Sequence, residues 1–402
     1  MTAVAGAPGD GEAVPATGPL PADTVVRAPF SLYVHVPFCA TRCGYCDFNT
    51  YTASELGART GPDAYLAAAR AEIRQARATL GDGAPPVETV FFGGGTPTLL
   101  APAQLASLLA EIRASFGLAA AAEVSTEANP ETVGPAVLQE LLQAGFTRIS
   151  LGMQSAAPHV LRTLDRVHTP GRAVDAARAA RAAGFGQVSL DLIYGTPGEQ
   201  AEDWARSLDA ALSAEPTHVS AYALVVEDGT ALARKVRRGE IDRPDDDVLA
   251  DRYAAADAVL GAAGLPWYEI SNWGAPCRHN LAYWRGHDWW GIGPGAHSHV
   301  GGVRWWNVRH PATYADALAG GRWPAQAREV LDGATRQVER VLLGSRLAAG
   351  HPVDDLPAGG SAAAAVLVTD GLLDRAALRR GRIVPTLRGR LLHDTVVRAL
   401  LP

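Results

Sequence analysis

Residues 31–49 read Ser31-Leu-Tyr33-Val-His35-Val-Pro-Phe-Cys39-Ala-Thr-Arg-Cys43-Gly-Tyr45-Cys46-Asp47-Phe48-Asn49. The alternation of 31–36, rich in Val, Leu and Tyr, predicts a first strand. Directly after it, Cys39, Cys43 and Cys46 stand in a C-x3-C-x2-C loop that can turn three thiolates toward one point. Three thiolates suit a soft metal or an iron–sulfur cluster. They are one fewer than a closed zinc site or an electron-transfer cluster takes, so one metal position is left open for chemistry. On spacing alone the alternative is a structural zinc site completed by His35 or Asp47.

Further strands are predicted over 87–92, 123–128, 148–153, 187–194 and 218–225. The helical patterns between and after them cover 63–80 (Asp63 as N-cap), 102–116, 135–144 (stopped by Gly145), 159–164, 171–183 and 201–212. Six strands alternating with helices predict an α/β fold on a parallel sheet. Right-handed crossovers bring such a sheet to or near closure as a barrel. Ligands bind at the carboxyl ends of such strands, and the polar motifs fall there. Gly93-Gly94-Gly95-Thr96-Pro97 ends the second strand, Glu127 the third, Gln154 the fourth and Asp191 the fifth, with Arg166 following Gln154. A glycine run lets backbone approach a ligand, or merely turns tightly. A polar residue in a buried strand needs a ligand or a partner, and Arg166 could pair with Glu127 or Asp191.

The formal charge of −6 over 402 residues lacks the basic footprint of a nucleic-acid binder. Four cysteines, three of them clustered, argue against a disulfide framework and suit a reducing cytosol. No apolar run approaches the length of a membrane span. The Ala-, Pro- and Gly-rich residues 1–28 lack the basic start and apolar centre of a signal peptide and are expected as a disordered extension. The acidic stretch 242–247 reads as a surface linker before a helix over 248–263.

A second constellation is Cys277-Arg-His279-Asn280-Leu-Ala-Tyr283-Trp284. On a helix His279 and Tyr283 share one face, and Asn280 and Trp284 an adjacent one. Most of the nine tryptophans fall between Trp267 and Trp306, which suggests a flat aromatic pocket or, equally, an aromatic mini-core around a hydrogen-bonded histidine. Cys277 reads as a second ligand or a buried small apolar residue, and His297 and His299 as turn or packing residues with ligand potential. Beyond about Ala327 short helices and a strand over 382–385 suggest a small helical or winged-helix-like domain.

The cysteine spacing with Tyr45 before the last cysteine resembles the radical S-adenosylmethionine (SAM) superfamily. The wider 31–49 string is similar to the group of oxygen-independent coproporphyrinogen III oxidases (HemN) and haem chaperones (HemW), and the resemblance extends from about Ser31 to at least Asn307. It implies a partial (β/α)6 barrel and a [4Fe–4S] cluster on Cys39, Cys43 and Cys46, with SAM chelating the fourth iron. It implies SAM contacts at Tyr33, Gly94, Gly95, Thr96, Glu127, Gln154, Arg166 and Asp191, with an apolar contact at Val225. His279-Asn280-x-x-Tyr283-Trp284 resembles the haem-binding motif of the chaperones. The oxidases carry a fourth cysteine where this chain has Phe48. The expectation is therefore a cytoplasmic haem chaperone with an unidentified acceptor protein and electron donor. The radical oxidative decarboxylase of coproporphyrinogen III is the alternative enzyme, and a zinc-holding binding protein without SAM a third reading. The domains expected are the extension 1–28, the barrel 29–240, a barrel extension with the aromatic segment 241–326, and the C-terminal domain 327–402.

Overall fold

The computed structural model describes residues 11–56 and 60–401. Six parallel strands lie side by side in sequence order: β1 Phe30–Val36, β2 Val87–Gly94, β3 Leu118–Ala128, β4 Arg148–Gln154, β5 Gln187–Tyr194 and β6 His218–Ala223. Helices cover the outer face, so the strands carry apolar side chains fully enclosed by protein, such as Val90 and Phe92, Ile149 and Leu151, and Leu190 and Leu192. The helix Arg172–Ala183 presents Ala173, Ala176, Ala177 and Ala180 to the core, an i, i+3, i+4, i+7 face of small side chains. The helix Pro135–Ala144 stops at Gly145, whose φ of 104° is left-handed, as its position in the sequence predicts. The helix expected to start on Asp63 instead has Gly61 as its cap, with Asp63 in the first turn.

The array stays open. Beyond β6, strands β7 Trp267–Glu269 and β8 Asn272–Gly274 add antiparallel pairing. Beyond β1, the parallel strand β9 Asp288–Ile292 is followed by an antiparallel meander of β10 His297–Val300, β11 Val303–Asn307 and β12 Ala325–Val330. The fold is the expected partial barrel, widened at both ends.

Of the extension expected to be disordered, residues 1–10 lie outside the described residues. Residues 11–28 are placed against the sheet. Glu12–Ala13 pairs with β12, Arg328 Nε donates to Glu12 Oε1 at 2.7 Å, and Gly18 lies where a Cβ would meet the Trp323 ring at 2.7 Å. Composition missed this because the segment is held by an edge strand and an aromatic wall supplied from more than 300 residues away. The sheet also runs on to Val330, past the domain boundary expected at 327. Among the described residues no helix is long and apolar enough to cross a membrane.

After the helix Gly333–Gly344 the chain builds a separate small core around Val341, Leu367, Ile383 and Val396, with the two-stranded ribbon His351–Pro352 and Arg382–Ile383. Arg390 fastens this domain to the barrel. Its guanidinium donates to both carboxylate oxygens of Asp257 at 2.7 Å, lies 4.3 Å over the Trp267 ring, and is 7% exposed. Asp257 keeps 20% of its side chain exposed, so stranding it costs less than the roughly 3–5 kcal/mol of a fully buried pair. Arg390→Ala is expected to lower the thermal midpoint and to make the C-terminal domain the first target of limited proteolysis.

Candidate functional site

The carboxyl ends of the parallel strands open into one cavity of about 1920 Å³. Its lining includes Cys39, Cys43 and Cys46, together with Tyr33, Gly94, Gly95, Thr96, Glu127, Gln154, Arg166, Asp191 and Val225, and also His279, Asn280, Tyr283 and Trp284. Residues drawn from widely separated stretches of the chain thus face a common space.

The cysteine loop is held by backbone bonds on both sides. Cys39 N donates to Tyr51 O at 2.9 Å, Gly44 N to Leu164 O at 3.0 Å, and Leu232 N to Gly44 O at 2.7 Å. All three thiols are free and half-buried. Burial pushes the Cys46 thiol up to about 11 and raises that of Cys39 as well, so a bound metal has to displace protons to gain its thiolates. His35, considered as a fourth zinc ligand, is engaged through both ring nitrogens, with the Tyr33 hydroxyl at 3.0 Å and Asn49 O at 2.8 Å. Among the described residues no three His, Cys, Asp or Glu side chains are grouped to hold a single ion. Three free thiols on an anchored loop facing an open cavity are a donor set that fits an iron–sulfur cluster with one open iron position.

The neighbouring polar groups form a cradle. Gly94, at φ 107°, lies where a Cβ would stand 2.5 Å from the His35 ring, and a Cβ on Gly95 would meet Phe38 O at 2.4 Å. Both positions require glycine, and Gly94 N donates to Glu127 Oε2 at 3.0 Å. Asp191 accepts from Ser150 Oγ at 2.9 Å. Arg166 pairs with neither carboxylate. Its Nη2 donates to Gly152 O at 3.0 Å, its Nη1 to Cys43 Sγ at 3.6 Å, and its buried Nε has no partner among the described residues. The mutual pairing of Arg166 with Glu127 or Asp191 weighed from the sequence is not what forms. Gln154 holds φ 65° at the strand end, a conformation that costs a non-glycine residue about 1–3 kcal/mol and is typical of ligand-binding positions. Val225 lies beyond the end of β6 and is 44% exposed. The set offers carboxylates, a guanidinium and backbone approach, which suits SAM's ammonium, hydroxyls and carboxylate.

Burial and the charge of Asp191 lift the Glu127 carboxyl from 4.5 to about 7. In the unfolded chain the group ionises near the lower value. The ligand-free protein therefore loses stability as pH climbs from about 4.5 to about 7, and no further above that. An ammonium group beside Glu127 favours the ionised form. SAM affinity is expected to rise as pH passes through about 7, and Glu127→Gln to flatten that rise; equilibrium SAM titrations on either side of this pH check it.

The helix Arg278–Trp284 fills the inside of the open barrel against β2. His279 is 1% exposed and stacks on Phe91 with ring centroids 5.2 Å apart. Its Nδ1 is 2.7 Å from Thr89 Oγ1, and its Nε2 is 2.8 Å from the Tyr283 hydroxyl, the i, i+4 contact that the spacing predicts. Thr89 Oγ1 donates onward to Ser31 Oγ at 2.9 Å. That leaves Nδ1 as the donor to Thr89 and Nε2 as the acceptor from Tyr283. Burial lowers the imidazole to about 3, so it stays neutral. Asn280 donates to the Tyr268 hydroxyl and Glu269 Oε1, each at 3.3 Å. Cys277 is buried, as expected of a small packing residue, with Sγ 3.5 Å from Glu123 Oε1. The flat aromatic pocket is smaller than the tryptophan count suggests. Trp273, Trp290 and Trp305 are core residues at 0–1% exposure, while Trp284 and Trp289 reach the cavity. His297 stacks on Trp306, and His299 packs on Trp289; both line the same cavity. The sequence reading passed over Arg148, Ser125, His218, Tyr268 and Glu269, which also line or underlie it.

The family model of the radical SAM superfamily matches residues 33–211. Over 391 residues the chain is 56% identical to a Mycobacterium tuberculosis protein named heme chaperone HemW, covering 96% of this chain and 97% of that one. A Bacillus subtilis protein of the same name is 34% identical over 324 residues, covering 80% and 84% of the two chains. Among solved structures, the Escherichia coli coproporphyrinogen III oxidase HemN shares the fold, with a TM-score of 0.80 at 24% identity over 94% of this chain and 91% of that one. A radical SAM domain implies a [4Fe–4S] cluster and SAM, and the free thiols and adjoining cradle accommodate both. The chain belongs to the radical SAM superfamily and, within it, to the HemW family.

Proposed function

We propose that this protein binds haem beside a SAM-ligated [4Fe–4S] cluster and delivers it to an acceptor protein in the cytoplasm. The observation that carries the reading is the shared cavity. The cluster thiols, the SAM cradle and the His279–Tyr283–Trp284 face open into one space, and its volume of about 1920 Å³ exceeds the usual small-ligand pocket of about 300–1,000 Å³. The names of the HemW relatives support the same assignment. Cys39, Cys43 and Cys46 would hold the cluster, which would supply one-electron reducing chemistry beside SAM if charged by an external donor. Glu127, Asp191, Gln154, Tyr33 and the Gly94–Thr96 backbone would orient SAM, with Arg166 on its carboxylate. His279 Nε2 would ligate haem iron after the Tyr283 hydroxyl turns away, with Asn280 fixing the helix and Trp284 packing on the macrocycle.

The oxidase reading has less support. Phe48 stands where an oxidase carries its fourth cysteine, and at 44% exposure it offers an apolar surface in place of a ligand. The test incubates reconstituted protein with SAM, reductant and coproporphyrinogen III, and in parallel with haem. Saturable haem binding without tetrapyrrole turnover is expected. Formation of protoporphyrinogen would replace the chaperone assignment with the oxidase.

A further inference from the structure

The barrel floor holds a cation with no counter-ion in contact among the described residues. Arg148 begins β4 and is 2% exposed. Its Nη1 reaches Ala275 O only at 3.4 Å, beyond the ordinary range for such a bond, and its Nη2 has no partner among the described residues. Carboxylates on strands β3 and β5 are engaged by other donors: Asp191 by Ser150, Glu127 by Gly94 N, and Glu123 by His279 N at 3.2 Å. A buried charge left in this condition is strongly unfavourable unless something compensates it. Ser125 is the Cα partner of Arg148 on the neighbouring strand, so the two side chains leave the sheet on the same face. Ser125 is 1% exposed, and its Oγ is likewise without a partner among the described residues. Both residues line the cavity. His218, beside them, is kept neutral by burial and by the charge of Arg148, and its Nδ1 is already bonded to Ser189 Oγ at 2.7 Å.

The geometry points to a carboxylate-binding site on the barrel floor, made by the Arg148 guanidinium and the Ser125 hydroxyl, that takes a propionate side chain of the bound tetrapyrrole. A guanidinium fork and a hydroxyl are suited to a carboxylate, which accepts from both at once. The site adjoins the proposed haem helix, because Ala275, which Arg148 touches, lies just ahead of Cys277, the N-cap of Arg278–Trp284. A flat ring packed on Trp284 and Tyr283 would present an acidic arm toward the floor. This inference rests on the haem reading. The carboxylate of SAM is the other source of the same chemistry, and the experiment separates the two.

The experiment titrates haem and haem dimethyl ester, which lacks the free acids, into the reconstituted wild-type protein, Arg148→Gln and Ser125→Ala, and titrates SAM into each. Wild type is expected to prefer the free acid by about tenfold or more, the scale of a charged hydrogen-bonded contact. Arg148→Gln is expected to erase that preference while leaving SAM affinity and diester affinity unchanged. Ser125→Ala should narrow the preference by about threefold, and it serves should the arginine variant not fold. Equal binding of acid and diester by wild type overturns the propionate site while the haem reading stands. A loss of SAM affinity in Arg148→Gln with haem discrimination intact assigns the carboxylate to SAM and also overturns it. Absence of binding of either porphyrin to wild type removes the haem reading itself and the propionate site with it.

Discussion

Cys43→Ala is expected to yield a folded protein that contains no iron–sulfur cluster after reconstitution and binds SAM at least about tenfold more weakly. Two thiolates in place of three leave a second iron without a protein ligand, and a cluster held by cysteines does not survive that deficit. The loop itself should persist without Cys43. Its backbone is tied to Tyr51, Leu164 and Leu232, none of which depends on the thiol. Truncating a half-buried side chain away from the core changes stability little, within about 0.5 kcal/mol. Arg166 loses its contact with Cys43 Sγ and keeps its bond to Gly152 O, so the cradle keeps its shape while SAM would lose whatever the cluster contributes to its binding. Iron and sulfide content, SAM titration and a thermal melt on one preparation separate cluster loss from unfolding. A cluster retained at wild-type stoichiometry would remove Cys43 from the ligand set.

The second large effect concerns the pair His279 and Tyr283, whose substitutions are expected to act in opposite directions. In the proposed haem site the Nε2 lone pair of His279 would hold the iron, and the Tyr283 hydroxyl occupies that lone pair at 2.8 Å. Haem binding at this histidine would therefore cost a hydrogen bond worth about 0.5–1.5 kcal/mol. Tyr283→Phe removes that bond in advance and should tighten haem roughly two- to tenfold, while costing the haem-free protein about as much stability. His279→Ala removes the ligand and should weaken haem by about tenfold or more. It should also destabilise the protein, since a fully enclosed ring stacked on Phe91 leaves a cavity worth about 2–4 kcal/mol. Neutral His279 requires no deprotonation, so haem affinity should vary little with pH across the neutral range. Haem titrations of the two variants beside wild type check the signs. A Tyr283→Phe variant that binds more weakly would show that the hydroxyl contacts haem instead of blocking the ligand.

Much of this was legible in the sequence because it is local. Strand and helix periods gave the βα alternation, Gly145 marked its helix end, and the cysteine spacing placed three thiols on one loop. Strand-end positions put Glu127 and Gln154 at one rim, since parallel strands carry their carboxyl ends together, whereas Asp191, expected at a strand end, sits inside Gln187–Tyr194, three residues before its end. What escaped depends on pairing across the chain. Residues 11–28 are ordered only because β12 offers an edge to Glu12–Ala13. The tryptophans divide between core and cavity according to strand faces set by the register of β9 to β11. His279 reads as a ligand or as a hydrogen-bonded core histidine until Thr89, distant in sequence, is seen to close on its ring. Arg148 passes for an ordinary strand start until its register with Ser125 shows two unpartnered polar groups on one face.

The measurement that tests the central assignment most directly is a haem titration of the anaerobically reconstituted, SAM-bound protein, followed by absorbance, with coproporphyrinogen III turnover assayed in the same sample. Saturation at one haem per chain, a weaker isotherm for His279→Ala and no protoporphyrinogen are expected. Haem binding that never saturates, or decarboxylation of coproporphyrinogen III by the same protein, would contradict the assignment.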